Sequence, residues 1–273
     1  MNFFSSIPIG PLIIPTGGII AFFGVLLASI VLIRTVRDEE VSLKFLSDHL
    51  FFFVFIPLLT GRIGAFLSLW TSFSYREETD FFSLIQAFFL IGNGGIQTDW
   101  ALGGFFLVFI LLALWRREKF FVWLDAFILP GIVVSIFVSL GGYFSGWAYG
   151  RPAPDMLPFP LVIQYDLLDV RYSGNIYAVQ LYATILYIFI FIFGWRLWQQ
   201  KLWQRWPSGK FFAAMIFLLG ISTSFLEFFR GDGVAMIGDI RLPQILGVCI
   251  SLMALFLFVL RKKKSLLDVV SSS

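Results

Sequence analysis

Residues 12–33 carry no charged side chain, and six further long apolar stretches follow, at roughly 46–70, 100–115, 124–147, 175–198, 210–229 and 243–260. About 20 mainly apolar residues let a helix cross a hydrocarbon core about 30 Å thick. Inside that core no water satisfies backbone N–H and C=O groups, so the backbone must close its hydrogen bonds within a helix or around a barrel. Continuous apolar runs, rather than alternating ones, predict helices. The sequence therefore predicts an all-α integral membrane protein with seven transmembrane helices. A shorter run, 81–92, is too brief to span and reads as an interfacial or re-entrant helix. With 59% hydrophobic and 14% charged residues, the 273-residue chain has no room for a separate soluble domain, so 1–273 reads as one membrane-embedded domain.

Lysine and arginine counts on alternate sides of these spans differ sharply. Arg34, Arg37, Lys44, Arg116, Arg117, Lys119, Arg196, Lys201, Arg205, Lys210 and Arg261 to Lys264 fall on one side, fourteen in all. Arg76, Arg151, Arg171, Arg230 and Arg241 are the five on the other, with Arg62 inside the second span. The positive-inside rule then predicts an outer amino terminus, an outer 148–174 loop and a cytoplasmic tail. No basic region precedes the first span, which is not expected to be a cleaved signal. The net charge of +3 is explained by topology, and nucleic-acid binding is not expected.

Charges inside apolar surroundings carry the functional reading. Arg62 lies between PLLTG-type and IGAFLSLW-type apolar sequence, where a guanidinium needs a partner, a polar cavity or a lipid headgroup. Two readings stand: an arginine snorkelling or paired within the bundle, and one that grips a lipid phosphate with its planar fork. Glu227 and Arg230 end the sixth span three residues apart, either as a local ion pair or with Glu227 orienting an arginine toward a phosphate or acting as a base. The run 141–154, GGYFSGWAYGRPAP, alternates glycines with aromatics, as an interfacial belt or as backbone open to an anion. Gln180, Tyr182 and Gln244 are polar groups within spans, expected to tie helices together or to line a cavity. Asp125 reads as the N-cap of the fourth span, and the lone His49 as an interfacial side chain. One histidine and one cysteine, Cys249 within the last span, predict neither a metal site nor a disulfide, and no cofactor is implied.

Six collinear pieces resemble the prolipoprotein diacylglyceryl transferases, seven-span enzymes that move diacylglycerol from phosphatidylglycerol to the lipobox cysteine of a preprolipoprotein. They are Ile9-Gly10-Pro11-Leu12, Gly61-Arg62-Ile63-Gly64, Leu124-Asp125-Ala126-Phe127 with Pro130, Gln180-Leu181-Tyr182, Leu226 to Arg230, and Gln244-Ile245-Leu246. The resemblance implies residence in the bacterial cytoplasmic (inner) membrane. Its implied partners are phosphatidylglycerol or another anionic phospholipid, and preprolipoprotein signal segments. It implies a lipid phosphate held by Arg62, Arg151 and Arg230, with Glu227 as the candidate catalytic group. The pocket would be lined by Gly103, Gly104, Gly141, Tyr143, Gly146, Gly150, Gln180, Tyr182 and Gln244. The sequence also departs from the family. Leu102 stands at the place of its essential histidine, Thr223 at an arginine, Gly17 at a tyrosine, and Ser139, Gly142, Ser145 and Trp147 at polar positions of its fourth-span signature. A transferase, a non-catalytic binder of phospholipid or signal segment and, more weakly, a small-molecule transporter are the expectations this leaves.

Overall fold

The computed structural model describes residues 6–9, 12–39, 41–74, 88, 97–154, 156–165, 170, 172–200 and 206–261. Among the described residues, six helices are long and apolar enough to cross a membrane, and a shorter apolar helix, Trp100–Arg116, accompanies them. The expected element at 81–92 lies outside the described residues apart from Phe88.

The chain divides into two compact units. The first comprises residues 1–41 and 121–273. Its opening departs from the expected span at 12–33: strands β1 (Ser6–Ile9) and β2 (Leu12–Pro15) pair antiparallel, and helix α1 (Thr16–Asp38) starts only after them. Pro15 explains the boundary, because a residue preceding proline is pushed toward extended backbone, while proline itself is tolerated just before a helix. At the other end α1 runs past the first charges, Arg34 and Arg37, since a charge ends an apolar run without ending a helix.

The second unit, residues 42–120, contains α2 (Lys44–Asp48), α3 (Leu50–Ser74) and α4 (Thr98–Arg116). A side chain at Gly64 would collide with Trp100 and one at Gly104 with Thr60, so these glycines let α3 and α4 approach closely. His49 breaks the expected second span and is buried, against the interfacial reading. Its Nδ1 lies 2.9 Å from the Phe45 carbonyl, which only accepts, so Nδ1 carries the proton and Nε2 accepts from Arg116 Nε at 3.4 Å.

The remaining elements belong to the first unit. Helix α5 (Phe120–Ser145) is its most buried, followed by α6 (Val179–Gln199), α7 (Lys210–Leu226) and α8 (Leu242–Leu260). The expected start of the fifth span at 175 is displaced because Ile176–Tyr177 (β4) pairs with Val162–Ile163 (β3). Ile128, Leu129, Ile132, Ile190, Phe211 and Met215 form a core shared by α5, α6 and α7. Small residues bring the other helices in: a Cβ on Gly141 would lie 2.7 Å from Gly17 O, and one on Gly247 2.8 Å from Gly220 O. Asp125 caps a helix other than its own. Its Oδ2 accepts from Gly209 N at 2.5 Å and its Oδ1 from Phe212 N at 2.7 Å, satisfying amides at the start of α7 rather than of α5.

Candidate functional site

Glu227 sits where α7 gives way to a tight 3₁₀ turn, Glu227–Phe229, and it is 1% exposed. A carboxylate so deeply buried requires compensation, and two guanidiniums supply it. Arg230 Nη1 donates to Oε1 at 2.6 Å and Arg241 Nε to Oε2 at 2.8 Å. Asp232 completes a closed, formally neutral ring, its Oδ1 accepting from Arg241 Nη2 at 2.7 Å and its Oδ2 from Arg230 Nη2. Burial works against the charged Arg230, but the Asp232 and Glu227 carboxylates outweigh it and hold the guanidinium above its ordinary pKa.

Arg241 and Asp232 were not among the sequence candidates. Arg241 returns to Glu227 because Met236–Ile237 (β5) and Ile240–Arg241 (β6) form a hairpin in which Met236 faces Arg241. Gly238, at φ 61, and Asp239 form its loop, and a Gly-Asp pair between Ile237 and Ile240 is a hairpin signal available in the sequence.

The glycine-rich segment after α5 is threaded beside this ring. Gly146 turns the chain at φ 74. Arg151 N donates to Phe229 O at 2.8 Å, Gly231 N to Tyr149 O at 2.9 Å, and Tyr177 N to Arg151 O at 3.1 Å. Gly150 forms an isolated bridge with Arg230, and a Cβ on Gly231 would lie 2.6 Å from Gly150 O, so the two backbones meet at a distance that excludes a side chain. Arg151 itself is exposed, its guanidinium 6.0 Å from the centre of the Tyr177 ring. Tyr143 is buried with Tyr149 and Tyr165, and its carbonyl accepts from Tyr165 Oη at 2.6 Å. Burial raises the Tyr165 phenol above its ordinary pKa and so preserves that donor.

A cavity of about 230 Å³ lies among α5, α6 and α7, walled by Ser139, Trp147, Gln180, Thr223, Glu227 and Arg230 together with mainly apolar neighbours. Gln180 is 3% exposed; its Nε2 donates to Trp147 O at 2.7 Å, while its buried Oε1 has no hydrogen-bond partner among the described residues. Tyr187, also in the wall, meets Thr223 Oγ1 at 3.4 Å.

The other predicted positions lie elsewhere. Gly141 packs against Gly17, Tyr182 Oη donates to Leu161 O at 2.5 Å, and the Gln244 carbonyl accepts from Ser224 Oγ at 2.9 Å. In the second unit, Gly103 and Gly104 line a hollow of about 380 Å³ with Thr60, Trp100 and Leu107. Arg62 is buried there, and its Nε donates to Phe88 O at 2.6 Å. Leu102 is more than half exposed.

Helices of this length and hydropathy, one of them ending in a buried charge ring beside a cavity, define a multi-pass membrane protein with a polar site at the end of a span. The chain belongs to the prolipoprotein diacylglyceryl transferase family, whose model matches residues 5–260. It is similar to the phosphatidylglycerol–prolipoprotein diacylglyceryl transferases of several bacteria. The relative from Symbiobacterium thermophilum is 26% identical over 260 residues, covering 92% of this chain and 90% of the relative. That from Bordetella avium is 27% identical, covering 94% of each, and that from Limosilactobacillus reuteri is 23% identical, covering 94% and 90%.

Proposed function

We propose that the cavity beside Glu227 receives the headgroup of an anionic phospholipid, phosphatidylglycerol by kinship with the named relatives. The observation that carries this reading is Gln180 Oε1, a buried acceptor without a partner in the wall that also contains Arg230. An unsatisfied buried acceptor is costly, and a headgroup glycerol hydroxyl is a donor that relieves it. The guanidinium of Arg230 has more N–H groups than Glu227 and Asp232 engage, so a phosphate oxygen can accept from the same cation. Arg151 and, in its own unit, Arg62 are further proposed phosphate contacts.

Diacylglyceryl transfer to a lipobox cysteine would form a bond from sulfur to the lipid's glyceryl carbon, break that carbon's bond to the phosphate oxygen, and release glycerol phosphate. The thiol proton needs an acceptor. Both Glu227 oxygens already accept from arginines, which makes Glu227 the residue that positions Arg230 and Arg241 rather than a free base. By the resemblance, Thr223, in the cavity wall, stands at the place of an arginine and Leu102, exposed in the second unit, at the place of a histidine. General acid–base catalysis is worth about 10²–10⁴ in rate, and a cation at the developing charge about 10²–10³. Binding with slow or absent transfer is therefore the expected behaviour, and this observation favours the second reading, a lipid- or signal-segment-binding member without turnover.

Purified protein in phosphatidylglycerol micelles with a lipobox peptide separates the two by mass spectrometry of the peptide. The expected result is little diacylglyceryl peptide, with phosphatidylglycerol retention that falls in Gln180→Leu and Arg230→Gln. Robust transfer by the unaltered protein, lost in Glu227→Gln, would assign the chemistry to this remodelled site. Retention unchanged in Gln180→Leu and Arg230→Gln would remove the cavity as the lipid site.

A further inference from the structure

At the opposite end of α7 from Glu227, a groove of about 310 Å³ runs between α6, α7 and α8. Phe193 and Leu197 of α6, Ala214 and Leu218 of α7, and Leu255 and Phe258 of α8 form walls that are apolar throughout. Phe193 and Leu255 are about half exposed, so the groove opens sideways out of helices long and apolar enough to span a bilayer. Lys210 opens α7, and Ala214 and Leu218 follow it one and two turns along the same stripe, so the groove reaches about 12 Å inward from the lysine.

Its mouth is amphipathic. Trp206, itself in the wall, meets Phe258 edge-on with ring centres 5.6 Å apart, and Lys210 Nζ stands 4.4 Å from the centre of the same Phe258 ring. Among the described residues no carboxylate lies within ion-pair distance of Lys210. Nearby Arg261 is engaged differently, donating through Nε and Nη2 to Ser208 O at 2.9 and 2.6 Å and lying 3.7 Å over the Phe121 ring. Tryptophan favours the headgroup level of a bilayer, and a basic side chain at that level attracts anionic headgroups.

We propose that this groove is a second lipid site, which holds one acyl chain of an anionic phospholipid with its phosphate against Lys210. An apolar cleft facing lipid, closed at the headgroup level by a cation without a carboxylate partner among the described residues, matches such a molecule in both parts. The site depends on the chain being a membrane protein and not on the transfer reading, because it shares no wall residue with the Glu227 cavity.

The test uses full-length protein in phosphatidylcholine vesicles containing a small fraction of acyl-brominated phosphatidylglycerol or acyl-brominated phosphatidylcholine. The quenching that disappears in Trp206→Phe reports lipid at the groove. Brominated phosphatidylglycerol is expected to quench Trp206 at about five-fold lower mole fraction than brominated phosphatidylcholine, the worth of one basic side chain near an anionic surface. Lys210→Gln should erase that difference, and Ala214→Leu, which fills the groove, should weaken quenching by both lipids. Gln180→Leu, in the wall of the other cavity, should leave all of it unchanged, which separates this site from that cavity. Equal quenching by the two lipids in the unaltered protein, a preference that survives Lys210→Gln, or quenching indifferent to Ala214→Leu overturns the proposal.

Discussion

Glu227 shows how one residue's role depends on partners distant in sequence. Its pairing with Arg230 follows from the three-residue spacing, but the second arginine arrives through the β5–β6 hairpin. A carboxylate held by two cations and buried from water is a point of high structural stake, because removing it leaves two guanidiniums with Asp232 as their shared counter-charge. Glu227→Gln is expected to cost about 3–5 kcal/mol, read as a loss of thermal stability in detergent. Asp232→Asn should cost less, since Asp232 is partly exposed and water takes up part of the loss. Equal effects of the two substitutions would show that the ring is not organised around Glu227. Gln180 is the converse case: the sequence marks it as a polar group within a span, but only the fold leaves its Oε1 without a partner among the described residues.

At the scale of elements, helix existence follows from apolar run length, whereas helix ends follow from local chemistry and from distant partners. Pro15 sets the start of α1 and can be read directly. Asp125 cannot: it stands inside α5 and caps α7, 84 residues away along the chain. Its side chain joins α5 to the start of α7, and the neighbouring Ser208 separately accepts from Arg261 after α8. Loss of a capping carboxylate typically costs about 1–2 kcal/mol. Asp125→Ala should lower thermal stability by that amount, and hydrogen exchange should accelerate first in the amides of 209–213. Faster exchange confined to the start of α5 would restore the local N-cap reading. Glycines act on the same scale, at Gly17 with Gly141 and at Gly220 with Gly247, where helix backbones approach so closely that a methyl group has no room.

For the whole molecule, the distribution of basic residues predicts orientation, with the 148–174 loop outside and residues 116–119 in the cytoplasm. In a Cys249→Ser background, a membrane-impermeant maleimide should label Met156→Cys in intact cells, and Lys119→Cys only after permeabilisation. Met156 is 91% exposed, so failure to label it from outside would reverse the orientation rather than report burial. The sequence by itself determined the membrane class, the helical character of the spans and the family, because hydropathy over about 20 residues is a sum along the chain and short collinear motifs survive divergence. Gln180, Glu227 and Arg230 were also legible as unusual charges and polar groups within apolar runs. Only the tertiary structure decided which of them share a cavity, that Arg241 joins Arg230 in neutralising Glu227 while Asp232 bridges the two arginines, that Asp125 serves another helix, and that His49 is buried against Phe45. Each of those depends on a through-space distance of about 3 Å between groups that the sequence separates, and hydrogen bonds and ion pairs are decided by that distance alone.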